Sequence, residues 1–218
     1  MVNPSKITER GVTFSLGEFD GEKMNYHFDK VLAYLNFKGK LLFGKGFRVK
    51  QENLGILYRL SVYIVKDTET CERLGMDLDK GILLTGPVGC GKTTIMKLVR
   101  HIVPHIRGYE VIPARNMTFG FNNLGYRIIE DYGNGGQYCF DDIGIEPIGR
   151  YFGKDCNVLG ELMLSRHELF LKNKLKTHGT TNLNAEELEE RYGQRVRSRM
   201  REMFNLIAFD SNANDQRK

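Results

Sequence analysis

"GPVGCGKTT", residues 86–94, fits the pattern G-x-x-x-x-G-K-[ST] at Gly86, Gly91, Lys92 and Thr93, a spacing whose backbone amides converge on an anionic phosphate. The preceding "KGILLTG" reads as a short apolar strand, and a helix opening at Gly91 would turn its N-terminal amides and positive dipole end toward the same anion. Strand, loop and helix in that order give the motif its proper context. Gly86, Pro87, Val88, Gly89, Cys90, Gly91, Lys92, Thr93 and Thr94 are therefore the expected nucleotide cradle. Lys92 would bridge the β- and γ-phosphates of ATP as a point charge, and the Thr93 hydroxyl is suited to Mg²⁺.

Outward from this loop, short apolar runs alternate with helical patterns, the signature of a parallel sheet covered by helices. Five strands are expected, "GILLT" at 81–85, "YEVIPA" at 109–114, "QYCF" at 137–140, "KTHGTT" at 176–181 and "NLIAF" at 205–209. Between them "CNVLGELMLSRHELFLKNK" repeats Val158, Leu159, Leu162, Met163, Leu169 and Phe170 at helical spacing, one buried face. Asn184 with Glu187 has the form of a capping box opening a further helix. Before Gly81 the pattern is irregular, with helical stripes in "FDKVLAYLNF" and "NLGILYRLSVYIV". These divisions give an accessory region over 1–76, a main domain over 77–210 and a tail over 211–218.

Three further segments carry chemistry. "QYCFDDIG" delivers Asp141 and Asp142 to a strand end. In this Walker B-like arrangement Asp141 would orient the Mg²⁺ shell and Asp142 would polarise an attacking water. Aspartate is one methylene shorter than the glutamate often found there, so slow hydrolysis is expected. "KTHGTTNL" ends in Thr180, Thr181 and Asn182, and Asn182 is the choice for a side chain meeting both the water and the γ-phosphate. Finally, "RYGQRVRSRMR" at 191–201 holds five arginines and no acid, just after the glutamate-rich "AEELEERY". A helix would align Arg191, Arg195 and Arg199 on one face, with Arg197 and Arg201 displaced. Such a face fits the charge developing on a γ-phosphate held by a neighbouring subunit, or a DNA backbone.

Composition bounds the alternatives. A chain of 218 residues that is 41% hydrophobic buries a full core. The net charge of +5 alone does not call for nucleic acid. Cys71, Cys90, Cys139 and Cys156 lack metal-ligand spacing and read as reduced thiols. No apolar run approaches the ~18 residues of a membrane span, and "MVNPSKITER" is not a signal peptide, so a cytoplasmic location is expected. No N-K-x-D segment reads guanine.

Together "GPVGCGKTT", "CFDDIGIEP", "THGTTNL" and "YGQRVRSRM" resemble, in order and spacing, the AAA+ ATPases of the DnaC-like bacterial helicase loaders and IstB-like transposition helpers. The likeness covers about 77–210. It implies an α/β P-loop fold with five parallel strands in the AAA+ order flanked by helices, a small mainly helical N-terminal region and little or no C-terminal lid. It places the trans-acting arginine at Arg199, with Arg195 supporting it or contacting DNA, and leaves Arg217 a weak candidate for a lid arginine. Loading implies a replicative helicase and single-stranded DNA as partners, with self-association. The transposition alternative implies a transposase and duplex DNA, and a third reading is an ATP-dependent adaptor that scarcely hydrolyses.

Residues 1–76 match no partner-binding pattern. "FKGKLLFGKGFRVK" interleaves Phe37, Phe43 and Phe47 with Lys38, Lys40, Lys45, Arg48 and Lys50, a composition compatible with base stacking. A hairpin with a basic exposed face fits it as well.

Overall fold

The computed structural model describes residues 4–103, 106, 108–210, 213 and 215; Arg217 lies outside the described residues. Two compact units emerge, one drawn from Met1–Leu78 with Thr94–Gly108, the other from Asp79–Thr93 with Tyr109–Lys218.

The first unit opens with four short strands, β1 (Lys6–Glu9), β2 (Val12–Ser15), β3 (Gly17–Phe19) and β4 (Met24–Tyr26), paired as two antiparallel hairpins. None was expected, because three- and four-residue strands are too short for alternation to register. Helices α1 (Phe28–Phe43), α2 (Leu54–Ile64) and α3 (Thr68–Arg73) follow. Helix α1 takes in residues 37–43 of the lysine- and phenylalanine-rich stretch and ends at Phe43, and 44–50 forms neither helix nor strand, so the hairpin reading of 37–50 is corrected. Phe37 packs on Phe14 at 4.8 Å and Lys38 pairs with Glu9 at 2.5 Å. Both side chains are thereby committed within the unit.

In the second unit β5 (Gly81–Thr85) leads into the start of α4 (Lys92–Val99), whose residues from Thr94 onward group with the first unit. Then come β6 (Glu110–Pro113), α5 (Ala114–Leu124), α6 (Arg127–Gly133) and β7 (Tyr138–Ile143), followed by the hairpin β8 (Gly149–Tyr151) and β9 (Lys154–Cys156). Helix α7 (Val158–Asn173), β10 (Thr177–Thr181), α8 (Ala185–Met203) and β11 (Phe204–Ala208) complete it. The five long-range strands form one parallel sheet in the order β11-β5-β10-β7-β6. Leu83, Ile112, Phe140 and Phe204 of the sheet share a core with Phe121, Leu162, Met163 and Met200 of the helices. The α7 stripe joins this core through Val158, Leu159, Leu162, Met163 and Phe170, whereas Leu169 is only half-buried, and Asn184 and Glu187 form the capping box at the start of α8.

His178 ties two strands together. Its Nδ1 accepts the Ile82 N–H at 3.1 Å, and its ring lies 4.5 Å from that of Tyr109. Burial, reinforced by Lys176 and Arg166, pulls its pKa down to about 3. The unfolded chain therefore takes up a proton near pH 6.5 that the folded chain refuses. Stability contributed by the neutral ring is complete above pH 6.5 and falls as the pH drops toward 3. Urea titrations at pH 7 and pH 5 should differ by about 2 kcal/mol from this group alone, a difference absent in His178→Gln.

Candidate nucleotide site

Parallel strands place their functional loops beyond the carboxyl ends, and β5, β7 and β10 converge there. Thr85 ends β5, and the next residues wrap into the glycine loop with Gly86 N–H donating to the Thr181 carbonyl at 3.3 Å. A side chain at Gly86 would put its Cβ 2.6 Å from Phe209 Cβ, and Gly91 sits at φ 100°. Substituents are excluded at the first position by contact and disfavoured at the second by backbone conformation.

Lys92 is only 4% exposed. Its Nζ donates to the carbonyls of Gly86 at 2.7 Å and Pro87 at 2.8 Å, and to Asn182 Oδ1 at 2.5 Å. Burial lowers its pKa, while Cys90 and then Asp142 act against that shift. The ammonium is thus gathered by three oxygen atoms and, more distantly, the Cys90 sulfur, and phosphate oxygens could take over the oxygen contacts. Cys90 is itself buried, with Sγ 3.8 Å from this nitrogen and its pKa raised by burial. The Asp215 carboxylate lies against the same loop at Gly89.

Thr93 and Asp141 meet directly, Thr93 Oγ1 donating to Asp141 Oδ1 at 2.8 Å. This oxygen pair fits Mg²⁺, which is held by one or two carboxylates together with substrate phosphates rather than by an all-protein cage. No group of three or more His, Cys, Asp or Glu suited to a metal occurs among the described residues.

The strand expected over 137–140 extends to Ile143, so the aspartates lie within the carboxyl end of β7. The pairing of β7 with β10 is regular from Tyr138 to Phe140, then gains a residue, so that Ile143 faces Thr181. This bulge puts Asp142 at φ 58°. Thr180 fills it, its hydroxyl donating to Asp141 Oδ1 at 2.7 Å and accepting the Asp142 N–H at 2.9 Å. A bulge breaks the alternation that would send adjacent side chains to opposite faces. Sequence reading passed over Thr180 in favour of Asn182, although the consecutive hydroxyls at the strand end were a signal.

The arginine segment needs a correction. Gly193 has φ 82° and ψ 159°, breaking α8 in two. Helical spacing therefore does not carry from Arg191 to Arg195, and the three arginines do not share one face. Arg191 instead donates to the Glu146 carbonyl. Arg195 and Arg199 lie in the second half, Arg195 exposed and Arg199 partly buried. Glu146 is a second residue that sequence reading missed; its signal was a single acid within the otherwise uncharged "IGIEPIG".

This sheet order, with a phosphate-type loop after β5 and an acidic bulge at the end of β7, defines the AAA+ P-loop NTPase fold. The crystal structure of the DnaC helicase loader shares it with a TM-score of 0.54 and 19% identity, over 76% of this chain and 94% of that one. That of DnaI does so with a TM-score of 0.51 and 14% identity, over 77% and 90%. At these identities the likeness is one of fold. The uncharacterized ABC transporter ATP-binding protein YtlC of Bacillus subtilis (strain 168) is 32% identical over 73 residues, only 28% of its own length. No family model matches the sequence. No helix among the described residues is long and apolar enough to cross a membrane.

Proposed function

We propose that this chain is an ATPase of DNA replication that acts as a helicase loader. It would use ATP to control its assembly on single-stranded DNA and the delivery of a replicative helicase in the cytoplasm. The observation that carries the nucleotide assignment is the convergence of Lys92 with Asn182 and of Thr93 with Asp141 at one end of the sheet. The fold shared with DnaC, itself a helicase loader, supports the biological role. Residues 77–210 form the ATPase domain in this reading, residues 1–76 the partner-binding region and 211–218 a tail.

Lys92 neutralises charge on the terminal phosphates, and the loop amides from Gly86 to Thr94 cradle them. Thr93 and Asp141 would hold Mg²⁺, which would supply positive charge against the phosphates. Asp142 accepts a proton from the attacking water, and Asn182 orients it beside Lys92. Arg199 from an adjoining subunit meets the charge that develops as the terminal phosphoryl leaves.

Asp142→Asn separates binding from chemistry. Hydrolysis should fall by about 10²- to 10⁴-fold while affinity for a fluorescent ATP analogue stays near wild type. Unchanged turnover would remove Asp142 from the mechanism, and undetectable turnover in the wild type would favour an adaptor that scarcely hydrolyses. DNA preference is read from the same protein in ATP, with single strands expected to bind more tightly than duplex. A strong duplex preference would turn the assignment toward a transposition helper.

A further inference from the structure

Glu146 lies three residues beyond β7 and is only 3% exposed, yet it serves no part of the proposed phosphate chemistry. Its Oε2 accepts the Gly144 N–H at 2.8 Å and its Oε1 accepts the Tyr192 hydroxyl at 2.5 Å. The Arg191 guanidinium stands 3.7 Å from Oε1 while donating to the Glu146 carbonyl. Asn157, the N-cap of α7, holds the Arg191 carbonyl at 3.0 Å. One buried carboxylate is thus bonded on one side two residues from Asp142 and on the other to the residue before Gly193. Burial, and next the carboxylate, raise the Tyr192 pKa, which keeps its hydroxyl a donor.

Gly193 is a backbone device rather than a packing one. A Cβ placed there would meet nothing within 4 Å, but the φ of 82° is one that other residues rarely adopt. It divides α8 into a glutamate-rich half, fixed at Arg191 and Tyr192, and a half carrying Arg195 and Arg199. Arg199 lies ~9 Å along the helix from that break. A swing of about 10° there displaces it by ~1.5 Å, and misplacing a catalytic group by about 1 Å can cost ~100-fold in rate.

The geometry points to Glu146 as a positioning residue that sets the angle of the arginine-bearing half of α8 against the Asp141–Asp142 end of β7. It couples the state of the nucleotide site to the surface offered to a neighbouring subunit. This rests on the reading of an ATP site completed in trans by Arg199. Coupling of this kind needs a contiguous set of contacts and an element able to take two arrangements; the carboxylate network supplies the first, and hydrogen exchange of the half beyond Gly193, which packs Val196, Met200 and Met203 into the core, reports the second.

Glu146→Gln keeps the shape and removes the charge, and Tyr192→Phe removes one hydroxyl. The test measures, in wild type and both variants, affinity for a fluorescent ATP analogue, hydrolysis with kcat and KM separated, and hydrogen exchange of residues 194–203 with and without Mg²⁺ and a non-hydrolysable ATP analogue. Nucleotide should change exchange in that segment in the wild type. Both variants should keep nucleotide affinity within about threefold, lose the exchange response and show kcat lowered ~10- to 100-fold at nearly constant KM. Variants that keep the response and kcat overturn the inference while leaving the ATP site standing. Variants in which nucleotide affinity collapses together with kcat overturn it too, since the network would then merely support the fold. A wild type that binds no nucleotide refutes the underlying site and this inference with it.

Discussion

Lys92→Ala should weaken ATP binding by about a hundredfold or more and bring hydrolysis to background. The ammonium is enclosed by two loop carbonyls and the Asn182 amide oxygen, all of which alanine leaves without this donor. Two effects combine in this variant. Charge on the phosphates loses its partner, and three acceptors lose their donor, at a stability cost of about 1–3 kcal/mol. Titration of a fluorescent ATP analogue well below the unfolding temperature isolates the first. Because burial holds the Lys92 pKa below that of an ordinary lysine, wild-type affinity should also decline on the alkaline side before a solvent lysine would titrate. Lys92→Ala should lack that decline. Binding of wild-type strength in the variant would remove Lys92 from the site.

Arg199→Ala should lower hydrolysis by the assembled protein by about 10³-fold while leaving nucleotide binding by isolated subunits intact. The arginine lies beyond the Gly193 break and is partly exposed. Arg195→Ala, at an exposed position, should cost less in turnover and, if it touches the DNA backbone, flatten the salt dependence of DNA binding. Turnover per subunit plotted against protein concentration checks the first expectation. The wild type should rise as assembly proceeds, and Arg199→Ala should stay low throughout.

The sheet was legible because most of its strands carry short apolar runs between glycine, asparagine and charge, although β10, THGTT, is polar. "GILLT" coincides with β5, and the other four strands lie within a few residues of their expected places. Asn184 with Glu187 was readable for a local reason: both partners of the cap lie within one turn. What could not be read depends on pairing between distant segments. The bulge at Asp141 and Asp142 exists only in the register of β7 against β10, and Thr180 has meaning only once it fills that bulge. Gly193 marks a break that a four-residue spacing of arginines concealed, although a glycine inside a helical pattern was itself a warning. The lysine–phenylalanine stretch misled through composition, since aromatics spaced irregularly among lysines suit the end of a helix such as α1 as well as a hairpin.

The account depends on a reaction centre shared by two subunits, and mixing two disabled variants tests it most directly. Asp142→Asn keeps its arginine but lacks the base, whereas Arg199→Ala keeps the base but lacks the arginine. In a head-to-tail assembly, equal mixtures should recover about a quarter of wild-type hydrolysis, because one interface in four pairs an intact base with an intact arginine. A mixture no more active than its two components measured separately would contradict the shared site.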